Sequence, residues 1–179
     1  GHWAYPPGYK LFDQIYKELP DIKIIAEDLG DLRPEVLELR DHYNLPGMEI
    51  SQFTFNPFEP RGEWKENRLI YPGTHDNSPV RGWFRGRDQK FFKAANAYLE
   101  ELGFSEFDNF YDNFLAYNFG SDARYAVFPM QDLLRLGEES KMNSPSTIGS
   151  PNWEWKMVDF ATFDEERSFI SYLIHKYNR

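Results

Sequence analysis

Cysteine is absent from this 179-residue sequence, which excludes disulfide frameworks, thiolate metal sites and cysteine nucleophiles together. The lack suits a reducing cytosol without requiring one. Basic residues are outnumbered, 20 Lys plus Arg against 29 Asp plus Glu, and the formal net charge of -9 repels phosphate backbones and anionic membrane surfaces. Nucleic acid and membranes are therefore not expected partners. No run approaches the roughly 20 apolar residues needed to cross a bilayer, and no basic-then-apolar leader opens the chain. Histidine is sparse, and none of His2, His42, His75 and His175 has the i, i+4 spacing of a helical zinc site with another. Gly82-Trp83-Phe84-Arg85-Gly86 follows neither the dinucleotide nor the P-loop order. Neither a metal nor a nucleotide cofactor is expected. The chain also opens Gly1-His2-Trp3 without an initiator Met, which leads us to expect a piece of something longer.

What is present suits a folded domain: 41% hydrophobic and 27% charged residues, with aromatic side chains at 18%. Four apolar runs read as buried strands, namely Ile22 to Ala26, Met48 to Phe55, Arg68 to Tyr71 and Tyr125 to Met130. Helical signals fall around them. An amphipathic stretch (Leu11, Phe12, Ile15, Tyr16, Leu19) precedes the first run. Pro34 suits a first helical position, so about 34 to 43 is predicted helical. Phe91, Ala95, Tyr98 and Leu102 predict a helix from Asp88 to Leu102, stopped by Gly103. Phe107, Phe110, Phe114 and Tyr117 form a further stripe at helical spacing, read as a helix packing on the core. Strands alternating with helices imply parallel pairing, because a crossover helix lets the next strand run in the same direction.

Every apolar run ends in polar or turn-forming residues, and three end in carboxylates: Glu27-Asp28, Asp76 and Asp132. In a (β/α) barrel the carboxyl ends of the strands form the active-site face, which fits this pattern better than an open doubly wound sheet. Acids from different strand ends can divide acid and electrostatic work, and glycosidic bond chemistry asks for such a pair. Glu27 and Asp76 are the first pair. Structural roles stand beside the catalytic one, since Asp28 or Asp31 could cap the next helix and Asp76 could serve a turn with Asn77. Trp64, Trp83, Trp153 and Trp155 lie in or beside predicted loops, where packing competes with stacking on sugar rings. Trp153-Glu154-Trp155 alternates as a strand would, placing both rings on one side.

The run Ile24-Ile25-Ala26-Glu27-Asp28-Leu29-Gly30 resembles the 4-alpha-glucanotransferases, the amylomaltase or disproportionating-enzyme family (glycoside hydrolase family 77). Further similarities follow in family order: Pro34-Glu35-Val36, Leu39-Arg40, Pro46-Gly47-Met48, Gln52-Phe53, and Tyr71-Pro72-Gly73-Thr74-His75-Asp76-Asn77 with Gly82-Trp83. Pro129-Met130-Gln131-Asp132-Leu133-Leu134, Met142-Asn143 and Asn152-Trp153-Glu154-Trp155 come later, and Trp3 to Leu11 also fits. The resemblance implies that Glu27 is the general acid/base, that Asp76 stabilises the oxocarbenium-like transition state, and that His75 hydrogen-bonds the sugar. Asp28, Asn77, Gln131 and Asp132 are implied to bind substrate or to position such groups.

The same resemblance implies an α/β fold in which residues 1–179 form the C-terminal half of a (β/α)8 barrel, with about four parallel strands. Its substrate would be an α-1,4-glucan or maltooligosaccharide, and its location the cytoplasm, or a plastid for a plant parent. Departures from the family pattern include Lys141 and Lys156, where arginine is usual, and Arg33, where a capping threonine is common. The family's nucleophilic aspartate, in an arginine-isoleucine-aspartate-histidine-phenylalanine type motif, is not found in the sequence. We therefore expect a chain that is inactive alone, whose open barrel edges pair with the missing N-terminal half or with a second copy. The competing expectation is a noncatalytic glucan-binding or structural module.

Overall fold

The computed structural model describes residues 7–62 and 65–179. His2, Trp64 and the Trp3 end of the first family motif lie outside those residues. Helix α1 (Gly8–Glu18) uses the amphipathic stretch seen in the sequence and leads into an extended segment, residues 22–29. The strand predicted over Ile22 to Ala26 does not form a ladder. Ala26 N–H reaches Pro46 O at 2.8 Å, but the next available amide, Met48 N–H, is taken by the Asp28 carboxylate at 2.6 Å. A side chain thus replaces the strand carbonyl that would have continued the pairing.

Helix α2 (Pro34–His42) starts at Pro34 as expected, although its N-cap, Arg33, turns its side chain to Glu35 instead of capping. Strand β1 (Gly47–Ile50) is half the length predicted. The chain leaves it through the single turn α3 (Ser51–Thr54), closed by Phe55 N–H to Ser51 O at 2.8 Å, and this turn drives Phe55 into the core. Strand β2 (Arg68–Tyr71) has the predicted bounds, and its Leu69 and Ile70 are buried. Strand β3 (Tyr125–Ala126) is far shorter than the run Tyr125 to Met130. One more ladder bond follows, Val127 N–H to Ile70 O at 2.9 Å; then Pro129, which has no N–H to donate, begins α7 (Met130–Leu133). The sheet is parallel in the order β1-β2-β3, with Gly47 opposite Arg68 and Leu69 opposite Tyr125. Among the described residues there are thus three strands where about four were expected.

Between β2 and β3 run α4 (Val80–Phe84), α5 (Gln89–Glu101) and α6 (Phe110–Phe119). Local chemistry sets the bounds of the last two. Asp88 Oδ1 accepts from Phe91 N–H at 2.8 Å to start α5, and Gly103, at φ +82°, ends it while Phe104 N–H returns to Leu99 O at 2.7 Å. This is a Schellman-type stop, which needs the left-handed conformation that glycine adopts without steric cost. At α6, Asn109 and Asp112 exchange bonds, Asp112 N–H to Asn109 Oδ1 and Asn109 Nδ2 to Asp112 Oδ2. That reciprocal cap leaves Phe107 outside the helix, against Phe169 at 5.3 Å.

The principal core joins Phe55, Val80, Phe91, Ala95, Tyr98, Leu99, Phe114 and Tyr117. Phe55 meets Tyr98, Phe114 and Tyr117 edge-on at 5.3 to 5.5 Å between centroids, an arrangement worth about 0.5–1.5 kcal/mol per pair beyond area burial. Trp83, read from the sequence as a loop residue, belongs to α4 and packs on this cluster, 5.3 Å from Phe114. A second cluster places Leu115, Ala116 and Phe119 of α6 against Leu173 of α8 (Ala161–Lys176), a helix absent from the sequence reading. No helix among the described residues is long and apolar enough to cross a membrane.

Candidate active-site cleft at the carboxyl ends of the strands

Because the strands are parallel, the segments that leave their carboxyl ends emerge on one side of the sheet. There they enclose a cleft of about 590 Å³. Glu27 reaches it from the extended segment 22–29, His75, Asp76 and Asn77 from the segment after β2, and Gln131 and Asp132 from the start of α7. Six of the seven residues singled out in the sequence therefore share one wall system. Asp28 is the exception.

Asp28 lies beside the cleft rather than in it, with its side chain 3% exposed. Its Oδ2 is paired with Arg40 and, at 2.8 Å, with Arg68, while Oδ1 takes the Met48 amide. Gly47 makes this possible, since a Cβ there would collide with the Asp28 carboxylate and the Arg68 guanidinium. The Pro46-Gly47-Met48 motif is therefore explained by the close approach of a buried carboxylate. Arg40, in α2, and Arg68, in β2, are tied through it to the segment that carries Glu27.

Glu27 itself is exposed and makes no hydrogen bond or ion pair among the described residues. Asp76 is held from one side. Asn143 Nδ2 donates to Asp76 Oδ1 at 2.6 Å, and Asn143 N–H donates to His75 O at 3.1 Å, so one residue clasps both members of the pair. His75 Nε2 stands 3.5 Å from Asp76 Oδ1, and its ring lies 5.0 Å from that of Trp153. Trp153 is 61% exposed and left-handed at φ +62°. The segment Trp153 to Trp155 is accordingly a turn, not a strand with both rings on one side; Trp153 N–H closes it onto Met142 O at 2.7 Å.

Asn77 builds the turn instead of lying free in it, its Oδ1 accepting from Thr74 N–H and Thr74 Oγ1 at 2.9 and 2.8 Å. Gln52, just past β1, donates from Nε2 to Ser78 O at 2.8 Å, and Gln131 donates to Ser140 O at 3.2 Å. Asp132 is 1% exposed, and burial pushes its carboxyl up to about 7, opposed in part by the bond from Val80 N–H. Gln52 and Asn143 entered the sequence reading only as motif members without roles. Polar residues directly after a strand end, or in an Asn-containing turn, were the available signals.

The parallel sheet with helices between its strands defines an α/β protein, with exposed acids and a histidine gathered on one cleft at the carboxyl ends of the strands. The chain belongs to the 4-alpha-glucanotransferase family, glycoside hydrolase family 77, whose model matches residues 1–161. It is 41% identical over 170 residues to a chloroplastic/amyloplastic 4-alpha-glucanotransferase of Arabidopsis thaliana, covering 92% of this chain and 28% of that protein. A 4-alpha-glucanotransferase of Streptococcus pneumoniae is 40% identical over 164 residues, covering 89% of this chain and 32% of the relative. Among solved structures, the amylomaltase from Streptococcus agalactiae in complex with acarbose superposes with a TM-score of 0.87 at 30% identity, over 100% of this chain and 36% of that one. The chain thus spans about a third of the length of the relatives it matches.

Proposed function

We propose that these residues supply the acid/base and the transition-state stabiliser of a retaining 4-alpha-glucanotransferase acting on α-1,4-glucans. The observation that carries the reading is the placement of Glu27 and Asp76, two acids 49 positions apart in the sequence numbering, on one cleft at the strand ends. In this reading Glu27 protonates the departing glycosidic oxygen and then takes the proton of the acceptor 4-hydroxyl. Its exposure and its lack of partners among the described residues leave it available for both transfers. Asp76, steadied on Oδ1 by Asn143, faces the positive charge that develops at the sugar ring, and His75 donates to a sugar hydroxyl. Asn77, Gln131, Asp132 and Asp28 position the segments that carry these groups.

A retaining mechanism also needs a carboxylate roughly 5 Å from the acid/base to form the glycosyl-enzyme bond. We assign that nucleophile to a part of the complete protein outside these 179 residues, which would also complete a (β/α)8 barrel around the three-stranded sheet. The family match and the superposition on an amylomaltase support this assignment. The noncatalytic glucan-binding reading leaned on the loop tryptophans and the absent nucleophile, and of those tryptophans Trp83 is partly buried against the core.

The test is transfer from maltotriose. This chain alone should give no turnover, while Glu27→Gln in the complete protein should lower transfer by at least about a hundredfold. Near-normal transfer by that variant would remove Glu27 from the role.

A further inference from the structure

Helix α4 follows directly on the segment that bears His75 and Asp76, yet it has no local cap. Its N-cap residue is Pro79, which offers no side-chain acceptor. The first helical amide, Val80 N–H, is bonded instead to Asp132 Oδ1 at 2.7 Å, across 52 residues of sequence. Capping by a carboxylate suits the positive end of a helix, and here it ties the start of α7 to the start of α4.

The other carboxylate oxygen stands out. Asp132 Oδ2 is buried and accepts no hydrogen bond among the described residues. An ionised oxygen in that position is strongly disfavoured, whereas a protonated one is tolerated. The cations nearby are committed elsewhere: Arg135 pairs with Asp112 of α6 and Glu166 of α8, and Lys141 stands 3.7 Å from Glu138. From α6, the Tyr111 hydroxyl donates to the Asp132 backbone carbonyl at 2.6 Å, not to its carboxylate. His75, Asp76 and Glu27 line the same cleft, and none of them is bonded to Asp132. Burial accordingly raises the carboxyl into the neutral range.

We propose that Asp132 is a proton-linked positioning residue: Oδ1 holds the start of α4, and with it the segment bearing His75 and Asp76, while Oδ2 carries the proton that lets a carboxyl occupy the cleft wall. The segment is then braced from three directions, by Asp132 at Val80, by Gln52 at Ser78 and by Asn143 at His75 and Asp76. Of the three bracing side chains, Asp132 alone is ionisable. Loss of its proton near neutrality alters the bond to Val80 and is felt along the segment that leads back to Asp76. The inference deepens the reading of that segment as the working part of a glucanotransferase site, but it concerns the segment itself, and its test involves no sugar.

The experiment is a pH series of ¹⁵N–¹H spectra of the complete protein, with ¹³C detection of the Asp132 carboxyl, for the wild type, Asp132→Asn and His75→Asn. Asparagine keeps an acceptor for Val80 N–H and cannot titrate, and His75→Asn removes the neighbouring imidazole. The expected result is one midpoint between about pH 6 and pH 8, shared by the Asp132 carboxyl and the Val80 and Asn77 amides. It should persist in His75→Asn and vanish in Asp132→Asn. A carboxyl midpoint outside that range overturns the proposal without any variant. So does an amide titration that survives Asp132→Asn or disappears with His75→Asn.

Discussion

Glu27 and Asp28 are consecutive acids in opposite surroundings, one on the open cleft and the other inside an ionic cluster with Arg40 and Arg68. Asp76 and Asp132 repeat the contrast: Asp76 is half-exposed at the cleft, while Asp132 is buried in its wall. The difference separates two uses of a carboxylate. The acids proposed to meet substrate are left in water with few partners, whereas those that hold the architecture are surrounded by donors or deprived of solvent. The contrast makes specific claims about which substitutions harm stability and which harm only chemistry.

The largest loss of stability is expected for Asp28→Ala, which strands the mostly buried Arg40 and Arg68 guanidiniums and frees the Met48 amide. Breaking a buried pair on one side typically destabilises by about 3–5 kcal/mol, measurable by urea unfolding of this chain. A loss below about 1 kcal/mol would place Asp28 with the exposed acids.

Asp132 comes next, through pH. Its carboxyl is raised by burial to about 7, above its unfolded value, so the folded state holds the proton more tightly. The stabilisation is fully present below the unfolded value near pH 4 and is lost as pH rises through about 7. Asp132→Asn should abolish that loss, gaining on the wild type by on the order of a few kcal/mol between pH 4 and pH 8. Parallel stability curves for the two proteins would contradict this.

Gly47→Ala tests the same cluster more gently. The added methyl meets the Asp28 carboxylate and the Arg68 side chain, and overpacking of this kind costs about 1–3 kcal/mol. Smallest of all should be Glu27→Gln. At an exposed position without partners among the described residues it should change unfolding free energy by no more than about 0.5 kcal/mol, whatever it does to transfer.

The two kinds of acid were unequally legible in the sequence. Those facing the cleft could be read from their place at the ends of apolar runs, because parallel pairing carries every such end to the same side. Asp28 could not, since its partners come 12 and 40 residues later and only the folded β1–β2 pair brings them together. Helices α5 and α6 were readable from periodicity, with Asp88 and Gly103 as local punctuation for α5, while the start of α6 at the Asn109 cap was not. The strand lengths were not, because Asp28 intercepts a ladder amide, Ser51 starts a turn within an apolar run, and Pro129 halts β3. Helix α8 buries only Ile170 and Leu173 deeply, so its apolar stripe is narrow and gives little periodic signal. Trp83 shows the reverse case. Glycines on both sides suggested a loop, while contacts with Phe55 and Phe114 draw the ring into the core.

The central claim is that Glu27 and Asp76 act as one site, and a double-substitution cycle on transfer by the complete protein tests it most directly. Groups that work on the same transition state are strongly non-additive, so Glu27→Gln with Asp76→Asn together should cost little more than the more damaging single change. If the two losses instead multiply in full, the acids act independently and the shared-site account is wrong.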